Sequence, residues 1–253
     1  MSTSAVFDVS GKTAVVTGAS SGLGARFVHV LRDAGANVIA AARRIERLDE
    51  LAQGSEQVLP VQCDVTNPAQ CEALIAGAIE AFGTIDILVN NAGASGSQPA
   101  EHEPVEHFSR VVDVNLTAVF RLSQLAAGHM LPRGEGVIIN VASMFGLVAS
   151  GRIPQASYAA SKGAVVNLTR ELAVQWADRG VRVNAIAPGW FPTEMTHGLF
   201  SSDRGQGWLR RHTPMRRSGR PDELDGVLLF LASDASTFVT GQCIAVDGGW
   251  VAV

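Results

Sequence analysis

Short runs of consecutive apolar residues alternate with amphipathic stretches along the whole chain. The runs are KTAVVTG (12–18), ANVIAAARR (36–44), VLPVQCDV (58–65), DILVNNAG (86–93), GVIINVAS (136–143), VRVNAIAPG (181–189) and CIAVDGG (243–249). Apolar residues in them follow one another rather than alternate with polar ones. Strands of that kind are buried on both faces, as in a parallel sheet covered by helices. Between the runs, helical periodicity takes over: Leu23, Phe27, Val30 and Leu31 share one face, and ERLDELA reads as the next helix. The alternation predicts an α/β fold, a doubly wound parallel sheet of about seven strands with helices on both faces and right-handed crossovers.

Composition narrows the picture. Of 253 residues, 47% are hydrophobic and 17% charged, enough apolar material for a sizeable core. No repeat or linker interrupts the pattern, so one domain over 1–253 is expected. The segment 193–221 departs from it, with Met195, Leu199, Phe200 and Trp208 set among Gly198, Gly205 and Gly207. That mixture suits a short helical flap over a site, or a surface excursion packed by its own apolar residues. The net charge of −4 argues against a nucleic-acid partner. RRHTPMRRSGR (210–220) is basic, but acidic PDELD follows at once, so it reads as a solvated face. No secretory h-region and no membrane-length apolar run are visible, which predicts no membrane partner. Cys63, Cys71 and Cys243 form no CxxC and cannot all pair; they suit a reducing cytoplasm. EHEPVEH (101–107) gathers histidines and glutamates, but Pro104 interrupts it and its spacing matches no zinc motif, so no metal is expected there.

Candidate chemistry begins at TGASSGLG (17–24), which follows the first strand and opens the first helix. Glycines at a helix N-terminus let backbone N–H groups close on an anion, and the helix dipole favours its charge. Gly18, Gly22 and Gly24 fall in a G-x3-G-x-G spacing rather than G-x-G-x-x-G. In open α/β sheets ligands lie beyond the carboxyl ends of the strands. Here those ends carry Asp64-Val65, Asn91-Ala92-Gly93, Ser143 and Pro188-Gly189, small and polar throughout.

YAASK (158–162) holds the one tyrosine of the chain and one of two lysines among twenty basic residues. At i and i+4 on a helix, Tyr158 and Lys162 share a face. A phenol of pKa about 10 is a poor base near neutrality, and a nearby ammonium would lower that pKa. Lysine suits this role as a compact point charge that can also donate to a ribose hydroxyl.

Taken with TGASSGLG, NNAG and PGWFPT, the segment VASMFGLVASGRIPQASYAASK strongly resembles the short-chain dehydrogenase/reductase family, essentially from KTAVVTG to CIAVDGGW. The resemblance implies a Rossmann-type domain. It makes Tyr158 the general acid/base, Lys162 its pKa-lowering and ribose-binding partner, Ser143 the donor to the substrate oxygen and Asn115 the support of a water relay. It implies cofactor contacts from Gly18, Ser20, Ser21, Gly22, Leu23, Gly24, Asp64, Val65, Asn91, Ala92, Gly93, Pro188, Gly189, Phe191 and Thr193. Phe191 departs from the small aliphatic residue usual in that loop, and the stretch from Ser143 to Tyr158 is slightly long. At the end of the second strand Ala42 stands where an acidic residue would select NAD(H), and Arg43 could fork to a 2′-phosphate, so NADP(H) is favoured and NAD(H) possible. The resemblance also implies a homotetramer built through helices near 107–131 and 157–178 and the last strand.

The function expected is hydride transfer between a nicotinamide cofactor and a hydrophobic ketone or secondary alcohol. Met144, Phe145, Trp190, Met195, Leu199, Phe200 and Trp208 would line its pocket by the same resemblance. Two alternatives stand beside it. One is a 3-oxoacyl thioester reductase docking an acidic carrier through Arg152, Arg210 and Arg211. The other is a dinucleotide-binding regulator without turnover, against which the intact Asn115, Ser143, Tyr158 and Lys162 set speaks.

Overall fold

The computed structural model describes residues 5–151 and 153–253. Each of the seven apolar runs forms a strand: β1 Thr13–Thr17, β2 Asn37–Ala42, β3 Val58–Gln62, β4 Ile87–Asn90, β5 Gly136–Val141, β6 Val181–Pro188 and β7 Cys243–Val246. All pair in parallel, in the order β3-β2-β1-β4-β5-β6-β7. The strands stop before the Gly, Asn and Ser residues that end most runs, because those residues serve the turns at the carboxyl edge.

Successive strand residues face opposite layers. Ala14 and Val16 of β1, with Ile87 and Val89 of β4, pack against α1 (Gly22–Asp33), α2 (Ile45–Ala52) and α9 (Asp225–Ala232). Val15 and Leu88 face the other way, onto α3 (Pro68–Phe82), α5 (Ala118–Arg133) and α6 (Ala156–Trp176). Both faces are therefore core, which is why the strands read as continuous apolar runs. On α1, Phe27, Val30 and Leu31 are buried as the periodicity predicted, and Leu23 packs at the edge of the same cluster. Among the described residues no helix is long and apolar enough to cross a membrane.

One feature was not expected. The helix near 107–131 is interrupted: α4 (Val105–Val112) passes through a π-helical turn, Asp113–Thr117, into α5. The segment 193–221, expected to be helical, contains α7 (His197–Phe200) and α8 (Asp203–His212), the latter opened by Ser202, whose hydroxyl accepts from Gly205 N at 3.1 Å.

Candidate active site

The sheet order puts a crevice at the carboxyl ends of β1 and β4, where crossovers leave in opposite directions. The glycine-rich turn lines it. Gly18 has φ +66°, a left-handed conformation that favours glycine, and an added Cβ would lie 2.8 Å from Ala92 Cα. A Cβ on Gly24 would strike Gly18 O and Asn91 Nδ2. Asn91 sews turn and strand end together, donating to Thr17 O at 2.9 Å while Thr17 Oγ1 accepts from Asn91 N at 3.1 Å. Ser21 precedes α1 without capping it by a side-chain bond. The first turn of α1 thus has no side-chain cap from Ser21, and a turn without Cβ atoms at Gly18 and Gly24 ahead of a helix N-terminus fits a dinucleotide pyrophosphate.

At the next strand ends the catalytic candidates converge. Ser143 follows β5, and its Oγ accepts from Phe145 N at 3.1 Å. Tyr158 and Lys162 lie one turn apart on α6, with Lys162 Nζ 5.8 Å from the Tyr158 ring centre. Lys162 is 4% exposed and donates to Val141 O at 2.6 Å. Asn115 sits within the π-helical turn and is fully buried. Its Oδ1 accepts from Ala94 N at 2.8 Å, and its Nδ2 donates to Ala94 O at 2.9 Å and Ser161 Oγ at 3.0 Å. The wide turn lets this side chain hold α6 and the loop after β4 at once; π-bulges recur at such sites. A Cβ on Gly93 would lie 3.5 Å from Asn115 Oδ1 and 3.8 Å from Lys162 Nζ, so the three groups meet.

The electrostatics differ from the sequence expectation. Desolvation by the surrounding protein raises the Tyr158 pKa above that of an ordinary phenol, and the neighbouring Ser143 hydroxyl draws it partly back. Lys162 was expected to do the lowering. Burial instead pushes its own ammonium down to about 8, and its proton is directed at Val141 O. The Ser143 hydroxyl offsets part of the desolvation of Tyr158, and the Lys162 nitrogen stands 5.8 Å from its ring centre.

A second support was missed. The carboxylate of Glu103, from EHEPVEH, accepts from Ser157 N at 3.3 Å and from Ser157 Oγ, and meets His107 Nδ1 at 2.8 Å. It caps the start of α6 immediately before Tyr158. The sequence signal was an acid followed by Pro104, but its partner lies 54 residues away.

The chain then matches known proteins over nearly its full length. A family model described as enoyl-(acyl carrier protein) reductase matches residues 18–251. Gluconate 5-dehydrogenase of Gluconobacter oxydans (strain 621H) is 41% identical over 248 residues, 96% of each chain.

The chain belongs to the short-chain dehydrogenase/reductase family.

It is an NAD(P)-dependent oxidoreductase. Cis-4-hydroxycyclohexanecarboxylate dehydrogenase of Sinomonas cyclohexanicum is 40% identical over 247 residues, 96% of this chain and 97% of the relative. The crystal structure of a gluconate 5-dehydrogenase from Burkholderia cenocepacia J2315, in complex with NADP and tartrate, superposes with a TM-score of 0.93 at 38% identity over 98% of both chains.

Within this short-chain dehydrogenase/reductase, several expected site residues also have partners of their own. Phe191 is buried in the core on the α1 and α9 side, its ring against Gly219. Met195 is 52% exposed on the flap surface. Val65 is buried in the core, while Asp64 Oδ1 accepts from Thr66 N at 2.9 Å and Thr66 Oγ1 at 2.7 Å. Gly189 donates from its backbone N to Val246 O at 2.9 Å, and Thr193 accepts at its side chain in a capping box with Thr196. Of the expected pocket lining, Phe145, Trp190 and Trp208 come together: ring centres are 5.6 Å apart for Phe145–Trp190 and 5.8 Å for Trp190–Trp208. Trp250, unremarked in the sequence, completes the cluster at 6.0 Å from Trp190 and 5.4 Å from Trp208. Met144 is buried beside Ser143, and Leu199 and Phe200 are partly buried on α7.

The two arginines after β2 diverge. Arg43 lies near Asp64, whose carboxyl it helps hold below the usual range after the bonds from Thr66. Arg44 turns to the glycine-rich loop and donates to Ser20 Oγ at 3.1 Å and Ser21 Oγ at 2.9 Å. Sequence reasoning named only Arg43; the doubled ARR was the signal for both.

Proposed function

We propose that the chain interconverts a cyclic secondary alcohol and its ketone with NADP(H), the reacting carbon being carried in a largely apolar ring. The observation that carries this is the aromatic wall of Phe145, Trp190, Trp208 and Trp250, which begins two residues after Ser143. Aromatic faces desolvate ring carbons well. Beside that wall His212 stacks on Trp208 with ring centres 4.7 Å apart, so the aromatic surface continues past it. The printed activity of the Sinomonas relative, on a hydroxylated cyclohexane ring, agrees with the reading. The gluconate 5-dehydrogenase relatives favour a second reading, a sugar-acid substrate.

In the reading we adopt, the nicotinamide supplies or accepts the hydride, and this chain supplies position and charge. Tyr158 gives its hydroxyl proton to the substrate oxygen on reduction and takes it back on oxidation. Ser143 holds that oxygen and stabilises the phenolate. Lys162 places a positive charge one turn away, and Asn115 fixes the loop and helix around them. The turn Gly18–Gly24 holds the pyrophosphate, Asp64 and Asn91-Ala92-Gly93 the adenosine, and Pro188, Gly189 and Thr193 the carboxamide. Arg43 and Arg44 flank the 2′-phosphate, consistent with NADP in the Burkholderia neighbour. Exposed Val105, Phe108, Phe120 and Val174 on α4, α5 and α6 support burial of those helices in a homotetramer.

A panel of cyclohexanones and keto-gluconates, followed by NADPH absorbance, tests the substrate. Cyclic ketones should exceed sugar acids by about tenfold or more in kcat/KM; the reverse order would establish the sugar-acid reading. Arg43→Ala should raise the NADPH KM about tenfold or more, and Ala42→Asp should turn preference to NADH by adding repulsion. Better use of NADH by the wild type would overturn the cofactor assignment. Arg210 and Arg211 are exposed, as carrier docking would need, while Arg152 lies outside the described residues. A carrier-linked substrate turned over far better than its free thioester would establish that alternative, and any steady turnover excludes a silent regulator.

A further inference from the structure

The root of the flap is tied to the dinucleotide turn by charge. Glu194 is the residue after Thr193, where β6 gives way to the flap. Its carboxylate accepts from Arg44 at 3.0 Å and 3.4 Å and from Arg47 at 2.8 Å. Arg44 is the same guanidinium that reaches Ser20 and Ser21. Arg44 first, then Ser21 and Arg47, hold the Glu194 carboxyl below the usual range. A Cβ on Gly22 would lie 3.3 Å from the Thr193 side chain, so that side chain packs on the turn at the same place.

This carboxylate sits where a cofactor phosphate would seek its cations. We propose that Glu194 is a specificity-determining residue: it competes with the cofactor's 2′-phosphate for Arg44 and Arg47, and its displacement loosens the root of the substrate flap. The inference rests on the NADP(H) reading above and adds the flap to it. The three side chains are about half exposed, at 43%, 51% and 51%. Ion pairs so exposed are weak, so a dianionic phosphate can take the guanidiniums that a single carboxylate holds. The same carboxylate repels the phosphate while it stays, which lowers affinity for NADP(H) without touching NAD(H). Cofactor choice and flap freedom are thereby set by one charge.

The test uses Glu194→Gln, which keeps shape and hydrogen bonding but removes the charge. The probes are adenosine 2′,5′-bisphosphate and 5′-AMP, with binding by calorimetry and backbone hydrogen exchange across residues 194–200. The variant should bind the bisphosphate about two- to tenfold more tightly, with 5′-AMP unchanged. Without ligand its flap root should exchange faster than in the wild type, and saturating bisphosphate should bring the wild type to the same rate. An unchanged bisphosphate Kd, or a flap exchange rate that Glu194→Gln leaves unaltered, would overturn the proposal. Wild-type preference for NADH in turnover would overturn the cofactor reading instead, since the bisphosphate competition is read by binding alone.

Discussion

The corner around Asn115, Ser143, Tyr158 and Lys162 and the segment 193–221, the proposed flap, are held by different physics. The corner is closed and polar. Asn115 and Lys162 are almost wholly buried, and their side-chain polar atoms have close partners. A chain of such bonds continues into the sheet, from Asn90 to Asn140 at 2.9 Å and from Asn140 to Thr169 at 2.9 Å. The flap rests on aromatic edges and on half-exposed ion pairs at Glu194. Buried networks admit one geometry, while exposed pairs exchange partners readily. The proposed chemistry thus lies where motion is costly, and the proposed recognition where it is not.

The largest expected effect breaks the corner. Tyr158→Phe deletes one oxygen and should lower kcat by about a hundredfold or more while cofactor affinity, measured by fluorescence titration, stays within about threefold. Lys162→Arg should also be severely impaired, because a fork does not fit the buried site of a point charge.

The next prediction sharpens the electrostatic side of the contrast. The folded pKa of Lys162, about 8, lies below its ordinary 10.5. Between those values the unfolded chain keeps a proton that the folded chain has released, so stability rises with pH across that window. Relative to Lys162→Met, the wild type should gain about 3 kcal/mol of unfolding free energy as pH goes from 7.5 to 10.5, read by urea titration. An equal pH trend in both proteins would mean that burial does not depress this ammonium.

On the flap the effects should be smaller and of another kind. Trp208→Ala removes a ring that meets Trp190 and Trp250, and should raise KM for a cyclic ketone about tenfold with kcat changed less than threefold. A matching loss in kcat would place Trp208 in the transition state and erase the distinction drawn here. The smallest change is Ser202→Ala, which removes the cap of α8 and should cost about 1 kcal/mol in the local opening of that helix by hydrogen exchange, leaving global Tm nearly unchanged. For assembly, light scattering at micromolar concentration should give a tetramer; a monomer would leave the exposed apolar residues of α4, α5 and α6 without a cover.

Local pattern determined much of this protein. Continuous apolar runs specified seven strands and a doubly covered sheet, since only burial on both faces suits such runs. The glycine spacing and the i, i+4 pair Tyr158–Lys162 specified the turn and the chemistry, because both are contacts along one short segment. Tertiary structure decided whatever depends on residues far apart. Phe191 went to the core because Gly219 leaves room for its ring there. Asn115 gained its three partners through a π-helical turn that no periodicity announces. Glu103 found Ser157, and Arg44 found Glu194 across 150 residues. The Tyr158 pKa likewise follows from desolvation and Ser143, quantities that exist only once the sheet edge and α6 have met.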